Sequence, residues 1–136
     1  MAAGAVPRLI GPRLGRFTTA SGEVIEADAS LENEPGFLFD ALVLPDGAAA
    51  VDTLAAHGQT MEFVKDQYRH CKTLLALGAS SALLDKAGIS LALPSGENDP
   101  GLFTADASQA DSVAEDFITA IGLHRHTARD RDPPLI

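Results

Sequence analysis

The chain has 136 residues, of which 46% are hydrophobic and 21% charged, with one cysteine and a formal net charge of -9. That length makes room for one domain burying roughly 65–70% of its unfolded surface, and the apolar share is too high for a disordered segment. A single cysteine excludes an internal disulfide and a multi-cysteine metal cluster, and the acidity argues against nucleic acid or an anionic membrane as main partner.

The charge is unevenly placed. Residues 1–16 carry Arg8, Arg13 and Arg16 without an acid, and residues 124–136 carry Arg125, Arg129 and Arg131 against Asp130 and Asp132. Removing those six bases and two acids from 10 and 19 leaves 4 bases against 17 acids between the ends, so the basic ends suit an acidic surface. The opening Met-Ala-Ala-Gly-Ala-Val-Pro lacks the pattern of a secretory leader, and no stretch is long enough to span a bilayer. These features fit a soluble, cytoplasmic chain.

In chain order, Ala5 to Ile10 is a short apolar run closed by Gly11-Pro12 and predicts a strand, although Pro7 suits no central ladder. Arg16-Phe-Thr-Thr and Glu23-Val-Ile-Glu-Ala flank Ala20-Ser-Gly22, predicting a hairpin. Asp40-Ala-Leu-Val-Leu-Pro-Asp-Gly47 reads as a parallel strand buried on both faces, and Val51, Leu54 and Ala55 predict a helix that Gly58 ends. Met61, Val64, Tyr68 and Cys71 recur at helical spacing and predict a second helix.

Thr73 to Leu77 is a second buried strand, followed by Gly78-Ala-Ser-Ser81 with N-cap candidates for a helix from Ala82 to Ala87, which Gly88 closes. Residues 94–101 form a polar loop and Leu102 to Ala105 a short strand. A last helix carries Val113, Phe117, Ile118 and Ile121 on one face with Asp111, Glu115 and Asp116 on the wet side, and the tail from Thr127 reads as irregular. Alternating strands and helices predict a three-layer α/β sheet with parallel strands.

The run Phe63-Val-Lys-Asp-Gln-Tyr-Arg-His-Cys-Lys-Thr-Leu-Leu-Ala-Leu-Gly78 resembles a segment of the C-terminal domain of large-subunit haem catalases. Ala5 to Gly15, Phe39 to Ala48, Phe117 to His126 and Asp132-Pro-Pro-Leu135 agree with the same domain in order, so the resemblance covers nearly the whole chain. It implies a flavodoxin-like parallel sheet with helices on both faces, similar to class I glutamine amidotransferases and PfpI-type proteases and deglycases. In the family the segment matching Ala5 to Ile10 is the second strand, so the first βα unit is missing and the chain is expected to be a C-terminal fragment. Residues 1–126 would be that domain and 127–136 its tail.

The resemblance also implies partners: a haem core that decomposes hydrogen peroxide to water and oxygen, and the other subunits of a homotetramer. Haem belongs to that core, and none is expected in this chain. PfpI-type relatives place a nucleophilic cysteine at the strand-to-helix elbow, but here Gly78 stands at that position, so no catalytic residue is expected there.

The other candidates are read from the residues. Ser80 and Ser81 do not form a G-x-S-x-G pattern and suit helix capping. Cys71, beside Arg69, His70 and Lys72, is either a low-pKa redox sensor or, as the apolar face of its helix suggests, a packing residue. His124 and His126 form an H-x-H pair whose helical spacing points the rings apart, leaving dipole contacts at a helix end as the reading rather than a metal site. Asp46-Gly47-Ala48 lies where α/β sheets hold ligands, yet no phosphate-binding glycine fingerprint occurs. The leading expectation is a non-catalytic structural domain of a large catalase. Its rivals are a free-standing PfpI-like thiol hydrolase or deglycase and a chaperone-like interaction module.

Overall fold

The computed structural model describes residues 3–136; Met1 and Ala2, the start of the segment tested for a leader, lie outside the described residues. The first third of the chain holds four short strands: β1 (Ile10–Gly11), β2 (Gly15–Thr18), β3 (Val24–Ala27) and β4 (Ala29–Ser30). β2 and β3 form the expected antiparallel hairpin, while β1 pairs in parallel with β4. Only Ile10 of the run from Ala5 to Ile10 belongs to a strand, and residues 5–9 are exposed. The expected strand there is corrected: Pro7 has no amide to donate, and pairing with the chain around Asp28 begins only at Leu9, whose carbonyl accepts the Asp28 amide at 2.8 Å and whose amide donates to the Asp28 carboxylate at 2.7 Å.

The body follows as β5 (Ala41–Leu44), α1 (Ala48–Ala55), α2 (Gly58–Arg69), β6 (Thr73–Leu77), α3 (Ser81–Ala87), β7 (Leu102–Ala105), α4 (Ala110–Gly122) and α5 (Ala128–Arg131). β5, β6 and β7 make a parallel sheet in that order, with Leu42 opposite Leu74 and Leu75 opposite Phe103. Side chains alternate across a sheet, so Leu74 and Ala76 meet Val51, Val64, Tyr68, Leu83 and Leu84 of α1, α2 and α3 on one face. On the other face lie Leu75 and Phe103, where Phe117 of α4 meets Phe103 edge-on with ring centroids 6.1 Å apart. This is the three-layer parallel arrangement expected from the strand and helix alternation. Burying Leu74 and Leu83 completely contributes about 1.5–3 kcal/mol each.

Several boundaries differ from expectation. Gly58 does not end α1 but opens α2, because His57 in extended conformation makes the break. Cys71 lies two residues past α2 at φ 58, off the helix face where its spacing placed it. Ile118 is exposed while Phe117 and Ala120 face the sheet, since α4 covers only β6 and β7. The tail from Thr127 is not irregular throughout: it contains α5, which carries buried Arg129.

Gly36 marks the junction between the first third and the body. A Cβ there would stand 2.6 Å from the Phe63 carbonyl oxygen, and Gln67 Nε2 donates to the carbonyls of Gly36 and Phe39. Only glycine lets the chain lie this close to α2 before entering β5.

Candidate functional site

β6 carries a candidate site at each end. At its C-terminal end the chain turns sharply into α3 through Gly78, at φ 52. From the turn after β5, Asp46 Oδ1 accepts hydrogen bonds from the Gly47 and Ala79 amides, both at 2.8 Å. A Cβ built on Gly78 would overlap the Asp46 carboxylate, so that carboxylate fills the space where an elbow nucleophile would project. The Ala79 amide, the kind of donor that stabilises an oxyanion in such turns, is already used by this internal anion.

The two serines do not restore chemistry. Ser80 is fully buried and its hydroxyl donates to the carbonyls of Leu44 at 2.9 Å and Leu77 at 2.8 Å, while Ser81 donates to Gly78 at 3.2 Å. Neither forms the side-chain cap expected for α3. For Ser80 the physical reason is burial, since a buried hydroxyl must satisfy itself on the nearest carbonyls, while exposed Ser81 bonds back to the carbonyl three residues before it. A hollow beside the elbow is lined by Asp85, Ser90, Leu91, Asp106 and Gln109. Ala76, Leu84, Ile89 and Ala105 line it too, and with no imidazole, thiol or phenol among the lining residues it offers no ligand for a haem iron.

The N-terminal end of β6 holds the densest polar cluster. Arg129 and Asp99 are both buried and pair through two parallel bonds, Nε to Oδ2 at 2.6 Å and Nη2 to Oδ1 at 3.0 Å. Asp99 Oδ1 also accepts the Gly101 amide at 2.9 Å. Arg129 Nη1 donates to the carbonyls of Lys72 at 2.6 Å and Tyr68 at 3.3 Å, and its guanidinium lies 4.3 Å from the Tyr68 ring centroid. These contacts close the end of α2 and the last turn before β6 with a group from the C-terminal segment.

His126 completes this buckle. Its amide donates to the Cys71 carbonyl at 2.8 Å and its Nε2 is 2.8 Å from the Thr73 hydroxyl. Gly101 lies against the imidazole so closely that a Cβ would overlap the ring. Burial and then the neighbouring Arg129 charge push the His126 pKa down, favouring neutral imidazole. Tyr68 is pushed up to about 12 by burial and then by the Asp99 charge, which keeps the phenol protonated.

Cys71 sits at the edge of the cluster, 1% exposed, with Sγ 3.4 Å from Asp130 Oδ1 and 3.8 Å from Arg125 Nη2. Burial, followed by the bond to Asp130, raises its pKa and favours the thiol. The basic neighbours invoked for a low-pKa thiol point elsewhere. Arg69 bonds the Ile136 carbonyl at 3.1 Å, His70 faces Asp66 at 3.7 Å, and Lys72 faces Asp40 at 3.7 Å.

The two histidines part company for a different reason from helical spacing. α4 ends at Gly122; His124 is exposed at φ 66, 3.9 Å from the Asp40 carboxylate, while His126 turns inward. Among the described residues, no group of three or more His, Cys, Asp or Glu is arranged to hold a metal ion. Among the same residues, no helix is long and apolar enough to cross a membrane. Sequence reasoning missed Asp99 and took Arg129 only as one base of a C-terminal end suited to an outside acidic surface. The available signals were Asp-Pro-Gly at the end of the polar loop and an arginine in the C-terminal basic run.

Comparison with known proteins agrees with this geometry. The family model for the C-terminal domain found in long catalases matches residues 1–131. Catalase C of Rhizobium meliloti strain 1021 is 37% identical over 122 residues, covering 90% of this chain and 16% of that protein. Catalase HPII of Mycobacterium avium is 34% identical over 137 residues, covering 95% and 19%. Thus the chain spans less than a fifth of the length of these relatives.

Among solved structures, a ThiJ/PfpI domain protein from Brachyspira murdochii superposes with a TM-score of 0.74 at 16% identity, over 90% of this chain and 83% of that one. A ThiJ/PfpI family protein from Pseudomonas syringae gives 0.63 at 17% identity, over 93% and 63%. The fold is therefore flavodoxin-like, of the ThiJ/PfpI kind. Arg129, between the matching segments Phe117 to His126 and Asp132 to Leu135, bonds the carbonyls of Tyr68 and Lys72 within the matching run Phe63 to Gly78. The chain belongs to the family of C-terminal domains found in long catalases.

Proposed function

We propose that this chain is a non-catalytic, structural C-terminal domain of a large-subunit catalase, residues 1–126 forming the domain and 127–136 its tail. Its partners are the haem core and the other subunits of a homotetramer in the cytoplasm, and the parent enzyme decomposes hydrogen peroxide to water and oxygen with haem in that core. The observation that carries the non-catalytic reading is the Asp46 carboxylate lying across Gly78, which leaves the elbow neither nucleophile nor free amide.

The test is an immunoblot of the source cells with an antibody to residues 59–72, beside an in-gel stain for peroxide decomposition. A band several times larger than 14.2 kDa that coincides with activity is expected. A band at 14.2 kDa without activity would overturn the assignment and favour the interaction-module reading.

A further inference from the structure

One edge of β5 pairs with β6, and its other edge is unpaired among the described residues. The direction of the free groups on that edge follows from register. Leu74 donates to the Gly101 carbonyl at 2.8 Å, so its backbone points to β7, and alternation turns that of Leu75 to β5. Leu75 stands opposite Val43 and, in a parallel ladder, bonds the residues on either side of its partner, Leu42 and Leu44. The amides and carbonyls of Ala41 and Val43 therefore point out of the open edge, and no hydrogen bond to them is found among the described residues.

This edge has none of the devices that protect sheet edges. Ala41-Leu-Val-Leu44 holds no charge, proline or glycine, the composition of a strand covered on both sides, yet Val43 is 48% exposed. The opposite edge of the same sheet is managed differently. There the Leu102 amide donates to the Asp99 carbonyl at 3.3 Å, and exposed Thr104 is polar. The β5 edge is also its own complement, because it is uncharged and offers donors and acceptors in equal number at symmetric positions on either side of Leu42.

We propose that β5 of one copy pairs antiparallel with β5 of a second copy of this chain, about a two-fold axis at Leu42. That register sets Ala41 opposite Val43 on both sides of the axis, and each such pair exchanges both of its N–H···O bonds, which uses every outward group of the two residues. Leu42 then meets Leu42 on one face of the sheet, and Val43 lies beside Ala41 on the other. The nearest charge, Asp40 with its side chain 72% exposed, falls opposite Leu44 rather than opposite another acid. An antiparallel strand added to a parallel sheet is a common arrangement, and the two-fold axis closes the contact as a dimer rather than an open chain. The contact goes beyond the function proposed above and needs no haem core.

The test joins sedimentation equilibrium of the 136-residue chain with residue-resolved amide exchange across a concentration series. Wild type is expected to dimerise, and the amides of Ala41 and Val43 to gain protection as the dimer fills, while those of Leu42 and Leu44 are protected throughout by β6. Two variants follow, with circular dichroism confirming that each folds. Val43→Pro removes an outward amide and leaves the bonds to β6, and Val43→Lys keeps the amide but sets like charges diagonally across the paired edges. Each should dimerise at least about tenfold more weakly than wild type. A wild type that stays monomeric at every concentration overturns the proposal and leaves the edge to a strand from a different chain or from elsewhere in a longer one. A dimer in which Ala41 and Val43 exchange as fast as in the monomer overturns it too, without recourse to any variant, as does either folded variant dimerising as tightly as wild type. Because these assays contain no haem core and read no peroxide activity, their failure leaves the proposed function standing.

Discussion

The two ends of β6 solve the same problem in opposite ways. At the C-terminal end, where α/β sheets usually receive ligands, a single carboxylate from the neighbouring turn closes the elbow. At the N-terminal end, a buried arginine, a carboxylate, an imidazole and a phenol converge, yet they are directed at one another and at backbone carbonyls. Perturbed ionisable groups often mark catalytic sites, but they also mark structural ion-pair networks, and here they mark the latter. The difference teaches that the direction of the donors, not the density of titratable groups, separates a site from a fastening.

The largest effect should come from breaking the fastening unevenly. Arg129→Ala leaves Asp99 buried and uncompensated, which costs about 3–5 kcal/mol. Replacing both partners by apolar residues, Asp99→Leu with Arg129→Met, should recover much of that loss, because it removes the charge and its desolvation together. Urea unfolding of the single and double variants measures both. A single-variant cost under about 1 kcal/mol would mean that the buckle contributes little and the contrast between the two ends fails.

The next test attacks the closed elbow. Gly78→Cys puts a side chain onto the Asp46 carboxylate at a left-handed backbone position and should cost about 2–3 kcal/mol. Asp46→Gly in the same chain should relieve part of the cost by removing the overlap. Neither protein is expected to hydrolyse a thiol-hydrolase substrate. Stability by urea unfolding and turnover of an activated ester together decide this, and turnover by the double variant would show that the elbow is two substitutions away from chemistry.

A smaller effect is written in pH. His126 has a lowered pKa in the fold, so the unfolded chain binds the proton more readily and stability falls as pH drops through the ordinary histidine range near 6.5. The slope can reach about 1.4 kcal/mol per pH unit for one proton, and it should be the slope of the difference in stability between wild type and His126→Gln measured from pH 7.5 to 5, since the variant lacks the titrating group. Tyr68 acts at the other extreme. Its raised pKa stabilises the fold below pH 10, and that contribution is lost as pH rises towards about 12.

How much of this was legible follows from sequence distance. β5 and β6 stand out as unbroken apolar runs because both their faces are covered, and Gly88 announces the end of α3 because it adopts φ 76. Asp99 and Arg129 are 30 residues apart, each in a stretch that reads as polar loop, and nothing local says that they meet. Cys71 misled because helical spacing continued past the point where α2 stops. Gly78 could be read as lacking a nucleophile, but the carboxylate lying across it comes from Asp46, 32 positions earlier.

The smallest expected effect separates the two elbow hydroxyls. Ser80 is buried with two carbonyl acceptors, so Ser80→Ala should cost about 1 kcal/mol from lost hydrogen bonding. Ser81 is exposed and donates only to the carbonyl three residues before it, so Ser81→Ala should change stability by no more than about 0.5 kcal/mol. A catalytic serine would give the reverse ranking, with the exposed hydroxyl mattering for turnover and the buried one for neither. Equal costs for the two would mean that the inward bonds of Ser80 do not hold β5 against the turn, and the elbow would then be looser than its closed geometry implies.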